Sequence, residues 1–429
     1  MSSLIVEVCK IDEIQEHDNA DKLEIAIIKG WQCVTQKNKF EKDDKIVYIP
    51  IDSMIPFELS DKLGITNYLF NHEKEICESC KGLGGINGNT CEECNGCGTS
   101  EKILFSRVKT IKLRGVISQG LIIDVQDKSW KIGKDVKKEL GIKKYTPRRQ
   151  MYSGNSNDSP KWNPPKYKKF DEYIHIENYK NYVDVFKEGE EVVCTEKLHG
   201  SNTRVARLPI DMAYYPFLQR IVLRLKRIGN KLTFGFIPYD KNIFLVGSHH
   251  KNLTRHYNEN LKYREQNLKN LYWRVAIDHK LDDKLKEGEE IFGEIYGKGI
   301  QKYLEYDGTE EIKVRFFDMK VRDRNGTMKY LDWDFFVKRC KDLELPIVPV
   351  LYRGPFSREI LHSLIRGQST IGNHIREGCV IKPIKERFHP RLGRVILKCI
   401  NDDYLLFKGK KEDELQKIGK DAELDIFDH

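Results

Sequence analysis

Short runs of apolar residues, some alternating with polar ones, open the chain at Leu4 to Val8, Leu23 to Ile28 and Lys45 to Ile49, with turn-forming residues between them. Runs of this length and period suit β-strands, whose successive side chains point to opposite faces, so residues 1–140 read as a small all-β unit. The period changes farther on. Phe217, Ile221, Leu225 and Ile228 recur at helical spacing, and Arg220, Arg224, Arg227 and Lys231 form a neighbouring stripe. This predicts an amphipathic helix with one basic edge. A helix covering a sheet is the expectation, with nucleic-acid or membrane-surface contact as the alternatives. Residues 141–170 shift to Lys, Tyr, Pro, Ser and Asn, notably over Tyr152 to Pro160, and read as an interdomain linker. Its Arg148, Arg149, Lys166, Lys168 and Lys169 are either solvated or track phosphates. Residues 408–429 alternate basic and acidic side chains and read as a charged tail, helical and solvated or disordered.

A chain of 429 residues suits two domains with ample core. With 39% hydrophobic and 32% charged residues, the composition is that of a soluble globular protein. No apolar run approaches the roughly 18 to 20 residues of a membrane span, and Met1 to Glu7 lacks the basic and apolar regions of a signal peptide. A cytoplasmic protein with no membrane partner is therefore expected. The net charge of +9 favours a polyanionic partner without specifying one.

Four of the eleven cysteines stand as Cys77-x-x-Cys80 and Cys91-x-x-Cys94, with ten residues between the pairs. That is zinc-site spacing. Each pair runs on into glycines, at Gly82 and Gly84 and at Gly96 and Gly98, whose backbone N–H groups can turn towards thiolate sulfur. The pattern resembles a single zinc module of the DnaJ-type cysteine-rich domain, and it implies one closed, structural zinc held by four thiolates. Cys97 competes with Cys94 as a ligand, and a disulfide is the alternative in an oxidising compartment.

The most informative stretch is Glu196-Lys197-Leu198-His199-Gly200-Ser201-Asn202, which reads as a strand delivering an amine to a turn beside a glycine. Lysine is a poor nucleophile while protonated, so it needs a dry pocket or cationic neighbours, and a glycine there allows close approach to a phosphate. Lys-x-x-Gly alone says little, because it recurs at Lys81 to Gly84 and Lys226 to Gly229. Its company decides the matter: Phe292 to Gly297, Val314 to Met319, Arg376 to Lys382 and Val395 to Lys398 follow in order.

In order and spacing these segments resemble the nucleotidyltransferase motifs of ATP-dependent ligases and capping enzymes, and the first resembles the nick-sealing RNA ligase branch. His17 to Leu23 and Ile111 to Leu121 resemble OB-type barrels of tRNA-binding modules and of the Deinococcus-type and Naegleria-type RNA ligases. The resemblance implies an α+β chain. An OB-like barrel over 1–140 would carry a zinc-knuckle insertion at 72–101. A linker over 141–170 would lead to an ATP-grasp-like nucleotidyltransferase domain over 171–407, built of antiparallel sheets flanked by helices. In such a barrel Trp31, Lys112 and Arg114 would contact a single strand, or Trp31 would be core and the cations solvated.

The same resemblance assigns the chemistry. Lys197 would attack the α-phosphorus of ATP, with Lys382 and Lys398 as cationic neighbours and Glu377 as the carboxylate for hydrated Mg2+ or Mn2+. Glu294 would bind the ribose hydroxyls, Phe317 would stack on adenine, and Glu196 and its backbone would help read the adenine edge. His199 and Asn202 would act near phosphates or RNA ends, and Ser248 and His249 match a further motif loosely. Many relatives carry Lys-x-Lys in the last motif, whereas this chain has Lys398-Cys399-Ile400 followed by Asn401 to Leu405, which favours the Deinococcus-type subgroup. The implied enzyme is a monomeric RNA ligase sealing nicks in RNA or RNA/DNA duplexes with an RNA 3′-hydroxyl. A guanylyltransferase and a non-catalytic RNA-binding protein are the alternatives.

Overall fold

The computed structural model describes residues 4–81, 85–86, 89–92, 99–145, 170–210, 217–233, 241–253, 270–297, 299–300, 306 and 311–407. Cys94, Cys97, the basic residues of the linker and the tail lie outside them. The described residues as far as 405 divide into two compact units, one on each side of residues 146–169.

The first unit is built of short antiparallel strands. Lys45–Ile49 lies between Glu7–Lys10 and Leu121–Asp124, and Leu23–Ile28 lies between Glu13–Glu16 and Trp31–Gln36. The hairpin Leu23–Ile28 to Trp31–Gln36 turns on Lys29 and Gly30, both at positive φ (51° and 78°), and Ile28 pairs with Trp31. A two-residue turn with both φ positive matches the right-handed twist of its flanking strands. Arg114 and Gly115 repeat it between Thr110–Leu113 and Val116–Gln119. That second hairpin is tied to the first by Gln32 Nε2 donating to Ile117 O at 2.8 Å and Val34 N donating to Ser118 Oγ at 3.0 Å. Trp31 is buried among Ile28, Cys33, Phe40 and Tyr48, so it is a core residue rather than a stacking platform. Lys112 is half-buried, and Arg114 is exposed at its hairpin tip.

A four-stranded sheet of this unit orders Lys143–Lys144, Ser53–Pro56, Thr99–Arg107 and Phe70–Ile76. The cysteine segment lies between its last two strands in sequence. Cys77, Cys80 and Cys91 are buried and their sulfurs lie within 4.8 Å of one another. Cys77 Sγ and Cys91 Sγ are 3.9 Å apart, and two thiolates on one tetrahedral zinc, with Zn–S bonds of about 2.3 Å, stand about 3.8 Å apart. Three soft, converging sulfurs with this spacing fit zinc.

The second unit contains two five-stranded sheets. One orders Glu177–Asn178, Leu397–Ile400, Gly378–Pro383, Glu191–Glu196 and Val350–Pro355, with only its first pair parallel. The other is wholly antiparallel: Asn242–Ser248, Ser201–Pro209, Glu289–Gly297, Ile312–Arg322 and Met328–Tyr330. Helices Leu271–Asp278 and Trp333–Asp342 bury Trp273, Val275, Trp333 and Phe336 against Val205, Ile291, Ile295 and Phe316 of the second sheet. Helix Arg358–Ile365 buries Leu361 against Cys194, Ile381 and Leu397 of the first.

The expected helix forms over Phe217–Leu232. Its apolar stripe does not cover a sheet, however: Ile221, Leu225 and Ile228 are exposed. Periodicity fixed the helix and its two stripes, but not which side of it would find a neighbour.

Candidate active site

The first sheet hands the chain to the second within the four residues Lys197 to Gly200, between strands Glu191–Glu196 and Ser201–Pro209. Glu196 N donates to Pro349 O at 2.9 Å and Lys197 N to Gly378 O at 3.0 Å, which extends the ladder past the strand end. Leu198 is buried, and His199 N donates to the Tyr306 hydroxyl at 3.0 Å. The Lys197 backbone is thus held on both sides of its side chain.

Gly200 makes the hand-over. A Cβ there would lie 2.2 Å from the Ile295 carbonyl oxygen, so only glycine fits. The close approach seen here is to protein backbone. Gly378 is constrained similarly: its φ is +139° and a Cβ would lie 2.0 Å from Cys399 O. This explains the glycine directly after Glu377.

Lys197 Nζ lies 2.8 Å from Glu377 Oε2, and His199 Nδ1 is 3.8 Å from the same oxygen. The Lys197 contact is an ion pair by distance but lacks hydrogen-bond geometry, so Oε2 is buried without a hydrogen-bond partner among the described residues. Asn202 Oδ1 is another buried oxygen without one among the described residues. A buried acceptor left unpaired is costly, so each of these points to a group that pairs with it. Both are hard oxygen donors of the kind that Mg2+ or Mn2+ takes, and they fit such an ion.

Asn202, Glu294 and Arg315 lie directly opposite one another across three strands, on one face of the second sheet. Burial pushes the Glu294 carboxyl up to about 8; Lys197 opposes the rise and Glu377 adds to it. Arg315 is held by Tyr296 Oη at 3.0 Å and Ile347 O at 3.1 Å. Phe317 sits where the register slips: Phe292 pairs with Asp318 and Gly293 with Phe316, leaving Phe317 as the extra residue of a bulge. Bulges re-aim side chains. The Phe317 ring meets Tyr173 edge-on at 5.1 Å and packs against the cluster of Leu198, Tyr296 and Tyr306.

Other expected residues are placed differently. The Glu196 carboxylate is buried and accepts from Ser369 Oγ (2.5 Å), Thr370 N (2.8 Å) and Thr370 Oγ1 (2.5 Å). The carboxylate thereby anchors residues 369–370. Lys382 is also buried, with Nζ 3.2 Å from Asp318 Oδ1 and 3.7 Å from Glu386 Oε1. Burial lowers its pKa, and Asp318 opposes that shift. Arg394 donates to Asp318 Oδ2 at 2.6 Å and to Glu386, and Tyr173 donates to Asp318 Oδ2 at 2.7 Å. Lys382 therefore belongs to a buried ionic network that ties the two sheets together, whereas Lys197, Glu377 and His199 form a separate group. Lys398 is half-buried opposite Val380, on the face that Lys382 shares. Ser248 ends its strand opposite Thr203, and burial lowers the pKa of the adjoining His249.

Sequence reasoning missed Tyr306, Ser369, Thr370, Arg394 and Tyr173. The first three are isolated polar residues with no periodic signal. Arg394 and Tyr173 acquire meaning only through Asp318, which lies within a recognised segment.

The candidate site is thus a lysine at the joint of two largely antiparallel sheets, in contact with a buried glutamate and near a glutamate–asparagine row. Residues 190–400 match the model of the RNA ligase family, and residues 5–75 match an OB-fold domain model. The chain carries an RNA ligase family domain preceded by an OB-fold domain. No curated protein matches the chain at a significant level. Among solved structures it resembles a mutant of Naegleria gruberi RNA ligase with ATP and Mn, at 20% identity and a TM-score of 0.60, covering 94% of this chain and 98% of that one. The same ligase with pyrophosphate matches at 20% identity and a TM-score of 0.58, over 95% and 99% of the two chains. Another mutant of it, with AMP and Mn, gives 20% and 0.59, over 94% and 99%. These likenesses establish the fold.

Proposed function

We propose that the protein is an ATP-dependent RNA ligase that works through AMP carried covalently on Lys197. The observation that carries the reading is the Lys197 Nζ to Glu377 Oε2 contact of 2.8 Å at the joint between the sheets. The ammonium must lose its proton before it can attack, and Glu377 is the base in contact with it. Nζ then forms a bond to the α-phosphorus of ATP, the bond to the β-phosphate oxygen breaks, and pyrophosphate leaves with the electron pair. Asn202 and Glu377, the latter through water, would hold Mg2+ or Mn2+, which would supply neutralisation of charge on the phosphate oxygens. Glu294, half-buried and with a raised pKa, is suited to hydrogen-bond the ribose hydroxyls, and Phe317 to pack on adenine. Lys398 is the cation assigned to the phosphates, with the buried Lys382 as a more remote one.

AMP next passes to an RNA or DNA 5′-phosphate, which frees the Lys197 amine. A 3′-hydroxyl attacks the activated phosphate, forming the phosphodiester and releasing AMP. The substrate we assign is a nicked duplex whose 3′-hydroxyl strand is RNA, because a ribose 2′-hydroxyl is the group by which the two sugars differ locally. Residues 1–140 would bind nucleic acid and 171–407 would perform the adenylyl transfer. All the catalytic residues assigned lie in one unit of one chain, so a monomer suffices. Incubation with α-labelled ATP or GTP and Mg2+ or Mn2+, alongside Lys197→Ala, tests the first step. Label from ATP that disappears in the variant supports the reading; label from GTP moves it to guanylyl transfer; no label with RNA binding intact leaves a binding protein. Sealing of nicks with RNA but not DNA at the 3′-hydroxyl tests the substrate assignment.

A further inference from the structure

Helix Phe217–Leu232 is inserted between Ser201–Pro209 and the edge strand Asn242–Ser248, which are neighbours in one sheet. At 16 residues it is about 24 Å long. Ile221, Val222, Leu225, Ile228 and Leu232 fall within an arc of about 120° on a helical wheel. They are 39, 51, 62, 53 and 75% exposed. Leu223 and Asn230, on the opposite side, are half-buried. The helix therefore turns its apolar face outwards. Beside that face run Arg220, Arg224, Arg227 and Lys231, Lys226 lies on its other flank, and the helix holds no acidic residue.

We propose that this helix docks the protein onto an anionic membrane surface, lying in the plane of the interface. An in-plane helix of high amphipathicity buries aliphatic side chains at the acyl boundary while its cations reach anionic headgroups. No helix among the described residues is long and apolar enough to cross a membrane, and this mode of binding needs none. The chemistry separates this occupant from others. A nucleic-acid backbone would take the cations but leave five large aliphatic side chains in water. A second copy would bring the same five cations against these. A partner groove that engulfs the helix would have to displace the half-buried Leu223 edge, whereas a flat surface needs only the open face.

The test is co-sedimentation of the full chain with vesicles of phosphatidylglycerol and phosphatidylcholine, or of phosphatidylcholine alone. We expect binding to the anionic vesicles only. The double variant Leu225→Gln, Ile228→Gln should weaken partitioning by about a hundredfold, each large aliphatic contributing about tenfold or more. The triple variant Arg224→Gln, Arg227→Gln, Lys231→Gln should remove the preference for anionic vesicles. Both should keep the parent melting temperature, because the changed side chains are exposed. Absence of binding to anionic vesicles overturns the proposal, as does binding that the apolar variant leaves intact. If instead the charge variant loses affinity for a nicked RNA duplex and the apolar variant changes neither ligand, the helix is a nucleic-acid edge and the membrane assignment fails.

Discussion

Replacing Gly200 by alanine probes the joint between the two sheets. The new Cβ would stand 2.2 Å from Ile295 O, about 1 Å inside the normal carbon-to-carbonyl-oxygen separation of about 3.4 Å. The neighbour is strand backbone in the middle of an antiparallel sheet, so it cannot swing aside as a flexible side chain could. The hand-over from Lys197 to Asn202 must therefore move by about 1 Å, and displacements of that size cost reacting groups about a hundredfold in rate. Overpacking of this kind costs stability as well, about 1 to 3 kcal/mol. Gly189→Ala is the control, because Gly189 has a φ of +81° with open space around its added Cβ, so strain there costs about 1 kcal/mol or more without displacing the site. Single-turnover labelling of the protein by α-labelled ATP should be about a hundredfold slower in Gly200→Ala, a barrier increase of about 2.7 kcal/mol, and close to the parent rate in Gly189→Ala. Parent-like labelling by Gly200→Ala would show that the joint does not position Lys197. Equal loss in both variants would assign the effect to general destabilisation.

The raised Glu294 carboxyl makes stability depend on pH: with a folded-state value of about 8 against an ordinary 4.5, the folded chain binds the extra proton between those limits. Stability from this group is therefore full below about 4.5 and lost as pH rises towards 8, so the melting-temperature advantage of Glu294→Gln over the parent should widen between pH 5 and pH 8; a constant difference would contradict the assignment. Lys382→Met removes one partner of a buried ionic network and leaves Asp318 short of a cation, a change worth about 3 to 5 kcal/mol of stability by chemical denaturation. Loss of labelling at unchanged stability would instead make Lys382 a catalytic group. Zinc analysis should find about one ion per chain and none after Cys77→Ser, with a lowered melting temperature in that variant; a zinc-free parent protein would refute the site.

The α+β architecture was legible in the sequence because strand period, turn residues and the order of motifs are local properties. The 217–232 periodicity could only be helical, whereas the positive φ of Lys29 and Arg114 in their two-residue turns was not announced by residue type. Motif order likewise picked out Lys197, Glu294 and Glu377. What those residues do to one another was not legible. Lys197 meets Glu377 because Lys197 N pairs with Gly378 O at the end of two adjacent strands, a contact spanning most of the second unit in sequence.

Composition and local pattern thus determined which segments are strands and helices and which residue types carry chemistry, since both follow from side-chain size, charge and backbone freedom. The tertiary structure alone decided that Trp31 is core, that the Glu196 carboxylate anchors residues 369–370, and that Lys382 is neutralised by Asp318. It also decided that the apolar face of helix Phe217–Leu232 looks outwards. Each depends on which distant backbone comes within a few ångströms, and sheet pairing, not local sequence, sets that distance.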